Sequence, residues 1–234
     1  MNKIVLIILP LFCGAVQISV AQVNYYKLNV DVRDGFTRAY ADVDSYTPLK
    51  NASLASFGIR LSPYFTLGTE LQYGMISAGD SIRDPHQRFF RNAYSAVNMF
   101  AVFYPSCFFD ERRMPLTRKI EPYLRLGAGV VYNRITSIKR SKLNANGARY
   151  VFPGDQQSVE PCFPVEAGLA HFFTDDWGYP RIGIKVAYQF TVTMAEGLDG
   201  YADPAALFRN KSPDMYGLAS IGLTILFGPV GFHW

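Results

Sequence analysis

The chain has 234 residues, 15% of them aromatic and 18% charged, and its 23 Lys and Arg against 19 Asp and Glu leave a formal charge of +4. A soluble domain carries about 25% charged residues, and an excess of cations this small and scattered excludes a nucleic-acid-binding surface. The mean hydropathy is too low for a bundle of membrane helices yet apolar for a water-soluble domain, a balance that arises when only alternate residues of a strand meet lipid.

The opening stretch, "MNKIVLIILPLFCGAVQISVAQ", has one cation at Lys3, an apolar run from Ile4 to Val16, and small residues at Ser19 and Ala21. This layout predicts a secretory signal peptide over residues 1–21, cleaved before Gln22, with an exported domain over 22–234. Pro10 and Gln17 leave the apolar run too short for a membrane anchor. Phe12 stands before Cys13, where a lipidation signal wants a small residue. Cys107 and Cys162 remain after the leader, too few for a disulfide framework. The topology predicted below puts them at opposite ends of the fold, with no bridge between them.

After the leader no window of about 18 apolar residues occurs, which excludes helical membrane spans. Period-two alternation recurs instead, in segments of about ten residues. The first, "YKLNVDVRDGF", sets Leu28, Val30 and Val32 against Lys27, Asn29, Asp31 and Arg33. The second, "SFGIRLS", sets Phe57, Ile59 and Leu61 against Gly58 and Arg60. In the third, "YFTLGTELQYGMISA", Leu67, Leu71, Tyr73 and Met75 oppose Gly68, Glu70, Gln72 and Gly74. The fourth, "AYSAVNMFAVFYP", is apolar on both sides and cannot be oriented. The fifth, Ile120 to Ile135, sets Leu124, Leu126, Ala128, Val130 and Tyr132 against Arg125, Gly127, Gly129 and Asn133. The sixth, "CFPVEAGLAHFF", opposes Val165, Ala167 and Leu169 to Glu166, Gly168 and Ala170. The seventh, "RIGIKVAYQFTVT", opposes Ile182, Ile184, Val186 and Tyr188 to Gly183, Lys185 and Gln189. The eighth, "MYGLASIGLTILFG", opposes Ile221, Leu223 and Ile225 to Ser220, Gly222 and Thr224.

Long and shorter connections alternate between these segments, as in outer-membrane barrels with long external loops and short periplasmic turns. The prediction is therefore an all-β fold, an eight-stranded antiparallel up-and-down transmembrane β-barrel of the OmpA type, lying in the outer membrane against its lipid. Alternation alone does not separate this from a soluble barrel, whose apolar set points inward. Two features decide. Tyr25, Tyr26, Phe36, Tyr64, Phe65, Tyr104, Tyr132, Phe172, Phe173, Phe190 and Phe227 gather near segment ends, as interfacial girdles do. Glycines such as Gly68, Gly127, Gly168 and Gly222 fall on the polar set, leaving room inside a narrow barrel.

The polar set carries both signs of charge. Arg33, Arg60, Arg125 and Lys185 are expected to face Glu70, Glu166 and Asp31 across the lumen as an ion-pair network, because a buried charge without a partner is costly. Eight strands leave an interior that side chains just fill, which argues against a pore.

Catalytic constellations are weak. The three histidines, His86, His171 and His233, lie far apart, and none sits at a Ser/His spacing that suggests a hydrolase. His86 has Asp80, Ser81 and Asp84 nearby, a grouping that any polar loop produces. No metal-ligand spacing, phosphate loop or dinucleotide fingerprint occurs, so no cofactor and no enzymatic activity are expected.

The run "GTELQYGMISAGD", then "RFFRNAYSAVNMFAVFYP", "KIEPYLRLGAGVVYN" and "PVEAGLAHFF", resembles the small outer-membrane β-barrels of Bacteroidetes. Among these it looks most like the PorG-type proteins associated with the type IX secretion system. The likeness runs from about Phe57 to Phe227; the first hairpin departs from it, with "NVDVRDGFTRAY" in place of a Gly-Asp-rich sequence. It implies a structural or accessory component of an envelope complex, with a protein partner at the periplasmic face. The charged link "DERRMPLTRK" offers Asp110, Glu111, Arg112, Arg113 and Arg118 for that contact. The competing expectation is a surface-recognition or adhesion barrel working through its external loops.

Overall fold

Side chains that alternate between two environments over a dozen or more residues force an extended backbone, and the extended segments here outrun those visible in the sequence. The computed structural model describes residues 23–40, 46–82, 87–105, 120–143, 149–177, 179–195, 197–201 and 214–233. In chain order its strands are β1 (Val23–Tyr40), β2 (Lys50–Ser62), β3 (Phe65–Gly79), β4 (Phe89–Phe103), β5 (Glu121–Ile138), β6 (Ser141–Leu143), β7 (Arg149–Val151), β8 (Gln157–Thr174), β9 (Pro180–Thr193) and β10 (Met215–His233). Eight of them close into an antiparallel barrel in the order β1-β10-β9-β8-β5-β4-β3-β2, while β6 and β7 form a separate two-stranded hairpin between β5 and β8.

Closure leaves no unpaired edge. Partners followed round the wall from Phe36 near the end of β1 run through Ala219, Tyr188, Ala167, Leu124, Phe103 and Phe65 to Ser62 at the end of β2. That stagger tilts the strands steeply against the barrel axis. Both ends of the described barrel chain, the Pro63–Tyr64 turn and the turn at 175–177 lie at one end, here called the turn end. The connections after β1, β3, β5 and β9 lie at the loop end. Residues 1–22, with the predicted leader, and 106–119, with Cys107 and the charged link, lie outside the described residues, as does His86.

Three expectations need correction. First, β8 begins at Gln157 rather than Cys162, because Ser158 and Glu160 continue the inward set and Val159 the outward one. The connection before it is not plain loop, since it holds the β6–β7 hairpin. Pro164, in the middle of β8, has no amide to donate. The β5–β8 ladder accordingly skips Gly127 and Ala128, and a Cβ on Gly127 would stand 2.8 Å from the Pro164 ring. Second, β4 is oriented: Asn92, Tyr94, Ala96, Asn98 and Phe100 face in, and Val97 and Met99 face out. Third, not every terminal aromatic belongs to an outer girdle. Tyr25 and Tyr104 are buried in the lumen, where Tyr25 donates to the Leu61 carbonyl at 2.9 Å, and Phe172 packs with the inner cluster.

The turn between β8 and β9 shows why "TDDWGYP" reverses the chain. Asp175 Oδ1 accepts from the amides of Trp177 and Tyr179 at 3.0 and 2.9 Å, the side-chain-to-backbone bonding that favours Asp in turns. Its Oδ2 accepts from the Tyr26 hydroxyl of β1 at 2.9 Å, tying the turn to the wall. Slight desolvation opposes ionisation, but the Tyr179 amide, the Tyr26 hydroxyl and the Trp177 amide outweigh it and hold the Asp175 carboxyl below its usual 3.8. A carboxyl depressed on folding contributes above its unfolded pKa and stops contributing as pH falls through the folded one. Amide exchange at Trp177 and Tyr179 is thus expected to be pH-independent in protection from about pH 5 upward and to lose protection in strong acid, and Asp175→Ala should abolish that protection at every pH.

Candidate functional site

The inward set builds three layers. The middle layer holds the charges. Arg33 on β1 points straight across the lumen: its Nη1 donates to Glu166 Oε1 at 2.8 Å and its Nη2 to Glu166 Oε2 at 3.0 Å, a two-pronged pair with β8. Nη2 also reaches Glu70 Oε2 on β3 at 3.4 Å. Arg125 on β5 completes the square, 2.6 Å from Glu70 Oε2 and 3.7 Å from Glu166 Oε2. Two guanidinium groups and two carboxylates therefore neutralise one another, all with side chains no more than 5% exposed. Arg125 lies over the Phe100 ring, 3.6 Å from its centre, and Tyr123 donates to Glu166 at 2.8 Å. Glycine makes this arrangement fit at Gly222, where a Cβ would strike the Arg33 backbone and stem. Beside the square, Lys185 of β9 donates to both oxygens of Asp31 at 2.9 and 3.0 Å, and Ser56 donates to Asp31 at 3.0 Å.

Arg60 stands apart from this network, a correction to the expectation that it shares it. It lies toward the turn end, donates to the Pro63 carbonyl at 2.8 Å and stacks on the Tyr25 ring at 5.5 Å. Sharing a face with the other charges did not place it at their height.

The layer toward the loop end is apolar, against the simple rule that the lumen side is polar. Leu54, Ile76, Phe90, Tyr94, Ala96, Val131, Cys162, Tyr216 and Leu218 form one buried cluster there. Cys162 is free and donates to Asn98 at 3.3 Å. Into this cluster dips the strap 197–201. Leu198 and Tyr201 are buried, and Asn92 donates to the Leu198 carbonyl at 2.9 Å. Gly200 turns the strap with φ of 75°, a left-handed conformation that glycine takes without strain. The Tyr201 hydroxyl donates to the Lys139 carbonyl at 2.8 Å, and Arg88 stacks on both Tyr201 and Phe152. The strap and the Phe152 ring thus stopper the loop end. Phe100, Val102, Tyr104 and Tyr123 pack the layer toward the turn end.

The outer wall is the reverse. Leu71, Met99, Leu126, Val165, Leu169, Val186, Ile221 and Leu223 are all exposed, several above half their surface. Apolar side chains outside and an ionic layer inside is the inversion that a lipid-facing barrel requires. Among the described residues no group of three or more His, Cys, Asp or Glu could hold a metal ion. Asp110, Glu111, Arg112, Arg113 and Arg118 lie outside the described residues. The strap and Asp34, which continues the outward set of β1 after Val32, were not singled out in the sequence; for Asp34 the alternation itself was the signal.

No family model matches the sequence, and no curated protein matches it. Among solved structures the chain is similar to the neisserial surface protein NspA, with 13% identity over 89% of this chain and 100% of that one, at a TM-score of 0.50. Looser similarities are to a major outer membrane protein of Thermus thermophilus (11% identity, 86% and 99% covered, TM-score 0.47) and to OprG of Pseudomonas aeruginosa (12%, 88% and 98%, 0.42). The likeness to NspA is one of fold, the closed antiparallel barrel.

Removing one member of the square leaves an uncompensated buried charge. Glu166→Ala is expected to lower the stability of the folded barrel by about 3 kcal/mol, read from its urea unfolding midpoint in detergent, whereas removing the Arg33 and Glu166 charges together should cost less than the sum of the single changes. At the strap, burial pushes the Tyr201 phenol up to about 12 from its usual 10.0. Because burial favours the neutral phenol, the stability it brings is fully present below pH 10.0 and is lost as pH rises through about 12. Tyr201→Phe is expected to loosen the strap by about 1 kcal/mol, seen as faster proteolysis within 197–201 at neutral pH.

Proposed function

We propose that this chain is an integral outer-membrane barrel, exported by a leader over residues 1–21, that serves as a non-enzymatic accessory component of an envelope complex rather than as a channel. The observation that carries this reading is the contrast between the two faces of the wall. The outer face offers hydrocarbon-compatible side chains, and the inner face is closed by the ionic square, the apolar layer and the strap. Among the described residues the side chains of the square, the apolar layer and the strap occupy the lumen, which is what a structural barrel rather than a conducting one calls for.

The resemblance of "GTELQYGMISAGD" and "KIEPYLRLGAGVVYN" to PorG-type barrels supports a role in type IX protein secretion, with Asp110, Glu111, Arg112, Arg113 and Arg118 as the periplasmic contact. The structured loop end supports a second reading, recognition of an external partner. There the β6–β7 hairpin and the strap present a fixed surface, with Arg140 donating to the Asp155 carbonyl at 2.6 Å and to that of Gly200 at 3.1 Å.

Purification in mild detergent from the native envelope, with the co-purifying proteins identified, separates the two. An accessory component is expected to lose its partner when Arg112, Arg113 and Arg118 are reversed in charge and to keep it when the β6–β7 hairpin is trimmed; a recognition barrel should show the opposite pattern. Reconstituted in planar bilayers, the wild-type protein should give no ion conductance above the lipid background, and steady conductance steps would sink the sealed-barrel reading.

A further inference from the structure

Among the described residues, the outer wall has one strand carboxylate facing out among apolar neighbours, Asp34. Outward residues of β1 run Val30, Val32, Asp34, Phe36, and Asp34 is exposed between Val32 at 57% and Phe36 at 54%. Its partners across the ladder are Ile221 on β10 and Ser53 on β2, both outward as well. Four residues further along β1, Arg38 donates to Thr47 and stacks on Tyr40, which marks the polar edge of the wall. With about 3.3 Å per residue and a tilt of about 40°, Asp34 lies about 10 Å inside that edge. Among the described residues no hydrogen bond or ion pair reaches its carboxylate.

The wall around Asp34 is also hollowed. One depression of about 490 Å³ runs from Asp34, Asn51 and Ser53 to Ala219 and Ile221. A second, of about 610 Å³, continues from Ala219 and Val186 to Ala167 and Leu124. They share Val186, Ala187 and Ala219, so a single apolar groove crosses the wall with its polar end at Asp34. Small outward residues, Ser53, Ala167 and Ala219, make it.

An ionisable side chain facing hydrocarbon is costly and is retained where it meets a partner. We infer that this groove docks a transmembrane segment of a different membrane protein, apolar along its length and carrying a Lys or Arg that pairs with Asp34. Acyl chains can fill the groove but bring no donor to the carboxylate. A second copy related by a two-fold axis running beside Asp34 would set one Asp34 against another, like charges in a low dielectric. A cation on an apolar segment answers both the groove and the charge. The inference rests on the barrel being a membrane-embedded accessory protein, and it assigns that role a contact in the plane of the membrane.

The test uses the full-length chain in its native membrane, with a photo-crosslinking residue at Ser53 in the groove or at Val97 on β4, which is equally outward but away from it. The expected result is a discrete adduct with a second membrane protein from Ser53 and not from Val97, its crosslinked peptide an apolar stretch containing Lys or Arg. Asp34→Ala should reduce that adduct at least tenfold and Asp34→Glu should restore it. The Asp34→Ala barrel should be no less stable to heat in detergent, since the change removes a charge from the lipid face. Adducts with lipid alone, with a second copy of the chain, or with a protein whose yield is unchanged in Asp34→Ala would overturn the inference. Membrane fractionation tells the two levels apart: a chain in the soluble fraction fails the membrane reading itself, whereas a membrane barrel with only lipid adducts at Ser53 fails the docking inference alone.

Discussion

A charge carried into the middle of a narrow barrel must find its opposite there, and the Arg33–Glu166 pair is where this chain meets that demand. The guanidinium spans the lumen to bond both carboxylate oxygens, so β1 and β8 are joined through the interior as well as through the wall. Glu70 and Arg125 close the square from β3 and β5. Four strands from around the barrel thus contribute to one neutral cluster, and a shift of register in any of them would separate charges that cannot reach water. Replacing such a cluster with well-packed apolar groups is often no less stable. Its value here is specificity of register and a closed interior.

The rest of the lumen follows from sealing that cluster. Above it, aromatic and aliphatic side chains fill the space that glycines and alanines leave, and the strap inserts Leu198 and Tyr201 as a stopper. Below it, Tyr104 and Tyr123 pack together with their rings 5.9 Å apart. Ladder closure satisfies the backbone, the square and the Lys185–Asp31 pair balance the charges of the middle layer, and the outer wall is left free to be apolar. Such a wall has no use in water.

Much of this was legible in the sequence, for a physical reason. A strand's side-chain period is two, so Leu124, Leu126 and Val130 on one face and Arg125 and Asn133 on the other could be assigned without coordinates. Height was not legible. Arg60 shares the inward face with Arg33, but the tilt and stagger of the strands carry it to the turn end, beside Tyr25 and the Pro63 carbonyl. Strand length was also underestimated wherever the alternation lost contrast. In β2 the polar Asn51 and Ser53 face outside while Leu54 faces in, a local reversal that hid the first half of the strand. The strap escaped notice because its hold depends on partners more than sixty residues away, such as Lys139 and Phe89 for Tyr201. Asp34 is different: the alternation already puts it on the face of Val32 and Phe36, and its ladder neighbours Ile221 and Ser53 add that this face around it is apolar or small.

The account as a whole stands on which face of the wall meets which medium. Single nitroxide labels stepped along β5 from Tyr123 to Tyr132 in reconstituted bilayers would measure this most directly, through collision rates with oxygen and with a water-soluble nickel chelate. Oxygen access should rise at Leu124, Leu126, Ala128, Val130 and Tyr132 and fall between them, with the chelate excluded from both sets. Strong chelate access at the outward set would mean a barrel in water, and at the inward set an open channel; either would contradict the sealed, lipid-facing barrel.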